Sequence, residues 1–83
     1  MERDVFIFVP AYNVQSTIAD VLSKISPAMR ARSKVLVIDD GSLPAIEVSV
    51  SDVAVHRFSQ NQGYGAVVKF GIAAGLAAGA KDI

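Results

Sequence analysis

A parallel α/β sheet with flanking helices, the Rossmann-like class, is the architecture that three features of this sequence predict. Residues 5–9 and 34–38 are short apolar runs rich in β-branched side chains, the composition of strands buried on both faces, and residues 53–58 form a third run that alternates. The order strand, helix, strand, strand, helix, with connections of crossover length, suits parallel pairing. Each strand also runs into a polar turn, at residues 10–13, 39–42 and 61–65. Open α/β sheets bind ligands beyond their C-terminal strand ends, so these three segments are expected along one edge.

The first strand, Val-Phe-Ile-Phe-Val, is expected to stop at Pro10. Ile18, Val21, Leu22 and Ile25 then fall at i, i+3, i+4 and i+7, the apolar face of a helix. Thr17 with Asp20 gives a weak capping box, and Ser26-Pro27 is read as the helix end. After the second strand, Asp39-Asp40-Gly41-Ser42 suits a turn. Between residues 43 and 52, Ile46, Val48 and Val50 alternate with polar neighbours, while Pro44 and the serines favour a loop over a short edge strand. A final helix is expected from about residue 64 to 80. Gly71, Gly75 and Gly79 each cost it about 1 kcal/mol relative to Ala, and at a spacing of four they share one face. A helix pressed tightly onto the sheet would offset that cost.

Composition removes several classes of function. A chain of 83 residues buries only roughly 60% of its unfolded surface, so residues 1–83 are read as one partial domain. The formal net charge is zero and no basic stripe is present, which sets nucleic acid aside as a partner. Without Cys there are neither disulfides nor thiolate metal sites, a pattern that fits a reducing compartment, and His56 has no second His to join in a metal cluster. The apolar run behind the mixed-charge residues 1–4 is too short for a signal-peptide core. Residues 64–80 are broken by Lys69 and fall short of the about 20 apolar residues that span a bilayer.

The three turns are where chemistry is expected. Pro10, Ala11, Tyr12 and Asn13 offer a rigid turn, an aromatic face for a planar base and an amide; as plain structure, Tyr12 is a packing residue and Asn13 a turn or cap. Asp39 and Asp40 are adjacent on an extended strand end and therefore point to different sides. One can accept hydrogen bonds from a base or a ribose hydroxyl while the other caps a loop; a solvated acidic turn is the alternative. The segment from Asn61 to Gly65 precedes the last helix, whose N–H groups and dipole favour an anion. Neither a G-x-G-x-x-G after the first strand nor a Walker-type loop occurs, which disfavours dinucleotide dehydrogenases and P-loop enzymes.

Taken in order, Val-Pro-Ala-Tyr-Asn at 9–13, Val-Ile-Asp-Asp-Gly-Ser at 37–42 and Asn-Gln-Gly-Tyr-Gly-Ala at 61–66, with Gly71 following, resemble the family 2 glycosyltransferases, including their dolichyl-phosphate mannosyltransferase-like branch. The resemblance runs from about residue 5 to the last residue. It implies a glycosyltransferase A-type fold binding a nucleoside diphosphate sugar over the strand ends. Pro10, Ala11 and Tyr12 would flank the base, Asp39 would hydrogen-bond the base or ribose, Asp40 would support that loop, and Asn61 and Gly63 would shape the neighbouring wall. Val14 stands where the family has an acidic residue, and Leu43-Pro44 where it often has Thr-Asp, a change expected to remove a helix that many relatives have. The Asp-x-Asp that would hold a divalent metal, Mg or Mn, and the acceptor base are not found in these residues. The expectation is therefore the nucleotide-binding N-terminal part of an enzyme that transfers a sugar to a hydroxyl or lipid phosphate, inactive alone. Its expected location is cytoplasmic, with the cytoplasmic face of a membrane as the alternative for a complete protein. A rival reading is a non-catalytic nucleotide-binding or assembly module that self-associates through an unpaired sheet edge. A sugar-nucleotide-forming nucleotidyltransferase would need a Gly-rich, basic loop after the first strand, which is not seen.

Overall fold

The computed structural model describes residues 4–50 and 52–83. Strand β1 (Val5–Ala11) leads to helices α1 (Gln15–Ser23) and α2 (Pro27–Arg32), then strands β2 (Ser33–Asp39) and β3 (Val53–Arg57), and helix α3 (Tyr64–Ala77). The strands form a parallel sheet in the order β1-β2-β3, with Val9 opposite Val37 and Val37 opposite Val55. The predicted α/β class holds.

Alternation along the strands divides the core in two. On one face Val35 and Val37 pack with Ile18 and Leu22 of α1 and with Ile46 from the 40–52 connection. On the other, Ile38, Phe58 and Val67 of α3 pack together, with Phe8, Leu36 and Phe70 against them. Gly71 and Gly75 bring α3 down onto β1: a Cβ at Gly71 would lie 2.5–2.6 Å from the Phe8 ring, and one at Gly75 would meet Ile83 and Phe6. The tight approach expected of the glycine face is therefore made by two of the three. Gly79 instead ends the helix in the left-handed region at φ 76°, where Ala80 N–H reaches back to the Gly75 carbonyl at 3.1 Å.

Proline behaves differently from expectation at two places. Pro10 does not stop β1, which runs on to Ala11. Asp40 N–H donates to the Ala11 carbonyl and Phe6 N–H to Asp82, so odd-numbered residues of β1 bond towards β2 and even-numbered ones outwards. The donor that Pro10 lacks belongs to the outer edge, where no ladder bond is lost. Ser26-Pro27 does not merely end a helix either. Helix α1 closes at Ser23, and Ser26 caps α2 by accepting the Met29 N–H at 3.2 Å, with Pro27 in the first turn. Thr17 lies inside α1, not at its cap; Val14 occupies the N-cap position, and the Thr17 hydroxyl donates to the Val14 carbonyl.

The described residues between β2 and β3 form no helix, in keeping with the Leu43-Pro44 departure. This connection is held against α1 by a paired amide contact: Gln15 Nε2 donates to the Glu47 carbonyl at 2.9 Å, and Glu47 N–H donates to Gln15 Oε1 at 2.6 Å. His56 stacks on Phe70 with ring centroids 4.2 Å apart, which makes it a packing residue between β3 and α3. At the other side of the sheet, Val5 forms an isolated parallel bridge with Asp82. No helix among the described residues is long and apolar enough to cross a membrane.

Candidate functional site

At the end of β2 the strand's alternation sends two neighbouring carboxylates to opposite faces. Asp39 shares the α1 face with Val37 and is fully buried. Its Oδ1 accepts the Ser42 N–H at 2.8 Å, and its Oδ2 accepts the Ile46 N–H at 2.9 Å and Arg57 Nη1 at 2.8 Å. Arg57 Nη1 also donates to the Ser42 carbonyl at 2.9 Å. Burial by itself raises the pKa of this carboxyl. The Ile46 N–H, the hydroxyl and N–H of Ser42 and the Arg57 guanidinium outweigh it and hold the group below its ordinary value of 3.8. Asp39 is thus an ionised pin that folds the connection back on itself.

Asp40 faces α3. Its Oδ1 accepts the Gln62 N–H at 2.7 Å, and its Oδ2 accepts the Gly63 N–H at 3.0 Å and Asn61 Nδ2 at 3.1 Å. The anion favoured ahead of helix α3 is accordingly supplied by the chain itself at these two N–H groups. Gly41, with φ 76°, lets the two loops touch, because a Cβ there would collide with the backbone at Gln60 and Asn61. On the other flank Asn13 sits in the left-handed region at φ 54°, a conformation Asn tolerates better than most residues. Its N–H donates to Ser42 Oγ at 2.8 Å, and its Oδ1 accepts the Leu43 N–H at 3.0 Å. Loops that lie far apart in sequence are stitched into one rim.

That rim encloses a cleft of about 380 Å³ lined by Pro10, Ala11, Tyr12, Asp40, Asn61, Gly63, Tyr64 and Val67. Ala11 and Val67 are buried, whereas Tyr12 and Tyr64 are 51% and 73% exposed. Mostly apolar walls with a few convergent polar groups are the usual constitution of a small-molecule site. A larger hollow of about 580 Å³ lies among Ser23, Ile25, Pro27, Arg30, Ala31 and Asp52, towards the strand starts, and contains none of the three strand-end turns.

Six of the seven residues expected to bind, namely Pro10, Ala11, Tyr12, Asp40, Asn61 and Gly63, line this one cleft. Asp39 does not. The alternation argument separates the two carboxylates, but the one given the base-facing place is buried under α1 and spent on its own loop, and the one given the supporting place reaches the cleft. Tyr64 and Val67 were missed as cleft residues, as was Arg57 as the partner of Asp39. No local sequence signal marks Arg57, which comes into register with Asp39 only when β2 and β3 pair.

Comparison with known families places the chain. The sequence model of the family described as Glycosyl transferase family 2 matches residues 6–76. This chain belongs to that family. The match spans β1 through nearly all of α3, so every residue of the cleft in this family 2 glycosyltransferase chain lies within it. Neither the curated proteins nor the solved structures gave a match. The oxygens of Asp39 and Asp40 already accept N–H groups from their own chain. Among the described residues no three His, Asp or Glu side chains converge as a metal site.

Proposed function

We propose that the cleft holds the nucleoside end of a nucleoside diphosphate sugar, for transfer of the sugar to an acceptor hydroxyl or lipid phosphate. The observation that carries this reading is the convergence of six sequence-predicted residues on one apolar cleft at the C-terminal strand ends, in a chain of glycosyl transferase family 2. The ring of Tyr12 packs on the base, Pro10 and Ala11 form its bed, and Asp40 accepts from a base N–H or ribose hydroxyl. Asn61 and Gly63 make the adjoining wall, and Asp39 keeps the Asp40 loop in shape without touching the ligand. In the transfer itself the acceptor oxygen attacks the anomeric carbon and the nucleoside diphosphate departs, which inverts that carbon. A divalent metal, Mg or Mn, would supply Lewis-acid stabilisation of the departing diphosphate, with ligands other than Asp39 and Asp40.

Titration of the 83-residue chain with UDP and GDP, followed by calorimetry and by backbone NMR, tests the reading. Binding with shifts at residues 10–12, 40 and 61–64 is the expected result, and the absence of binding by either nucleotide would remove it. With no Asp-x-Asp and no acceptor base identified among its residues, the chain alone is expected to turn over no sugar nucleotide in the presence of manganese. Measurable transfer would show that a base is present among these residues. Assembly through a sheet edge is the second reading, favoured by the place of β3 at the edge of the sheet. A dimer that ignores nucleotide on size-exclusion chromatography would move the weight to it.

A further inference from the structure

We infer that Tyr64 is a second aromatic wall of the cleft and stacks on the base across from Tyr12, a role that rests on the nucleotide reading above. The placement follows from how α3 crosses the sheet. Gly71 meets Phe8 and Gly75 meets Phe6, so four helical residues advance as far as two strand residues, in the opposite sense. That ratio is what rises of about 1.5 Å and 3.3 Å per residue require. Extended upward by the same steps, residue 67 falls over residue 10, and residue 64 falls just past residue 11, beside Tyr12. Pro10, Val67 and both tyrosines do line the same cleft.

The environment of Tyr64 gives it little else to do. Its side chain opens α3 with 73% exposure, and it belongs to neither core cluster. A large ring left that open contributes little to folding, while over a cleft floored by Ala11 and Val67 it adds a broad apolar face. A planar base entering between Tyr12 and Tyr64 covers both rings and leaves its edge towards Asp40. Stacking of this kind tolerates any base, because every base has a π face. Base choice then falls to the polar edge, and affinity to the two rings.

The chain has two tyrosines and no tryptophan, so tyrosine ring signals report on this cleft without interference. The test is an NMR titration of ring-labelled chain with UDP, GDP and pyrophosphate, with Kd measured in parallel for Tyr64→Ala, Tyr64→Leu and Tyr64→Phe. Both rings should shift with either nucleotide and neither with pyrophosphate. Tyr64→Ala should weaken UDP and GDP alike by about 5- to 150-fold, the range over which truncated stacking residues act. Tyr64→Phe should stay within about twofold. The leucine variant keeps bulk and helix propensity but has no ring, so it should fold and still lose affinity. Wild-type affinity in the leucine variant, or a still Tyr64 ring in a chain that binds UDP, would overturn the stacking role and leave the nucleotide reading intact. No shift of either ring and no binding of either nucleotide would overturn both.

Discussion

Asp39 and Asp40 are neighbours in sequence with the same side chain, yet one belongs to the frame of the molecule and the other to its opening. Asp39 is enclosed by α1, the 40–52 connection and Arg57, and its two oxygens carry three bonds to its own chain. Asp40 also carries three and is itself buried, but it lines the cleft. One residue of strand offset decides whether a carboxylate lies under α1 or lines the cleft. The comparison separates stability from binding, and each side can be broken alone.

The largest effect is expected on the frame side. Asp39→Ala leaves the Ser42 and Ile46 N–H groups without their acceptor and removes one of the two acceptors of the exposed Arg57 guanidinium. Leaving these two buried N–H groups unpaired costs about 1–3 kcal/mol each. In a domain of this size that lowers Tm by more than about 10 °C in a calorimetric melt. A Tm within a few degrees of wild type would show that the 40–52 connection does not depend on this pin. The same group sets an acid dependence. Its folded pKa is depressed, so its stabilisation is fully present above the unfolded carboxylate value of about 4 and is lost as pH falls through the lower folded value. Asp39→Ala should flatten stability against pH in that acid window and nowhere above it.

On the cleft side, Asp40→Asn should cost less stability and more affinity. The amide oxygen can replace only one of the two carboxylate oxygens, so either the Gln62 or the Gly63 N–H loses its acceptor, a loss of about 1.5–3 kcal/mol. Nucleotide binding should weaken by about tenfold or more, since a base N–H or ribose hydroxyl then meets a neutral oxygen or an N–H. An affinity unchanged in Asp40→Asn would return the ligand-facing role to some other group on the rim and erase the distinction between the two carboxylates.

The strands, their order and the shared edge were legible because β-branched runs and turn residues are local signals. Six cleft residues followed from those signals and from the family resemblance. What escaped depended on phase and partner. Alternation states that Asp39 and Asp40 diverge, but which of them lies under α1 is set by the side of the sheet that each helix covers, and no window around residue 39 contains that. Arg57 lies 18 positions away from Asp39, and its pairing appears only when β2 and β3 are in register. Proline misled for a related reason: Pro10 is tolerated because its missing donor faces the outer edge, and Pro27 opens a helix because Ser26 caps it. Gly79 shares the spacing of Gly71 and Gly75 but lies past the helix end, where a positive φ is wanted and packing is not.

The smallest expected change probes how far the open side extends. Gly65 is the second residue of α3, and a Cβ added there meets nothing within 4 Å. Its φ lies outside the left-handed region, so alanine fits the existing backbone. Gly65→Ala should therefore raise stability by about 0.5–1 kcal/mol through helix propensity and reduced unfolded-state freedom. It should leave UDP and GDP affinity within about twofold, because Gly65 is not part of the cleft wall although Asn61, Gly63 and Tyr64 just before it are. A clear loss of affinity with the gain in stability intact would place ligand atoms against the first turn of α3. The opening would then reach along the helix start, and the boundary between frame and cleft would lie one residue further into α3.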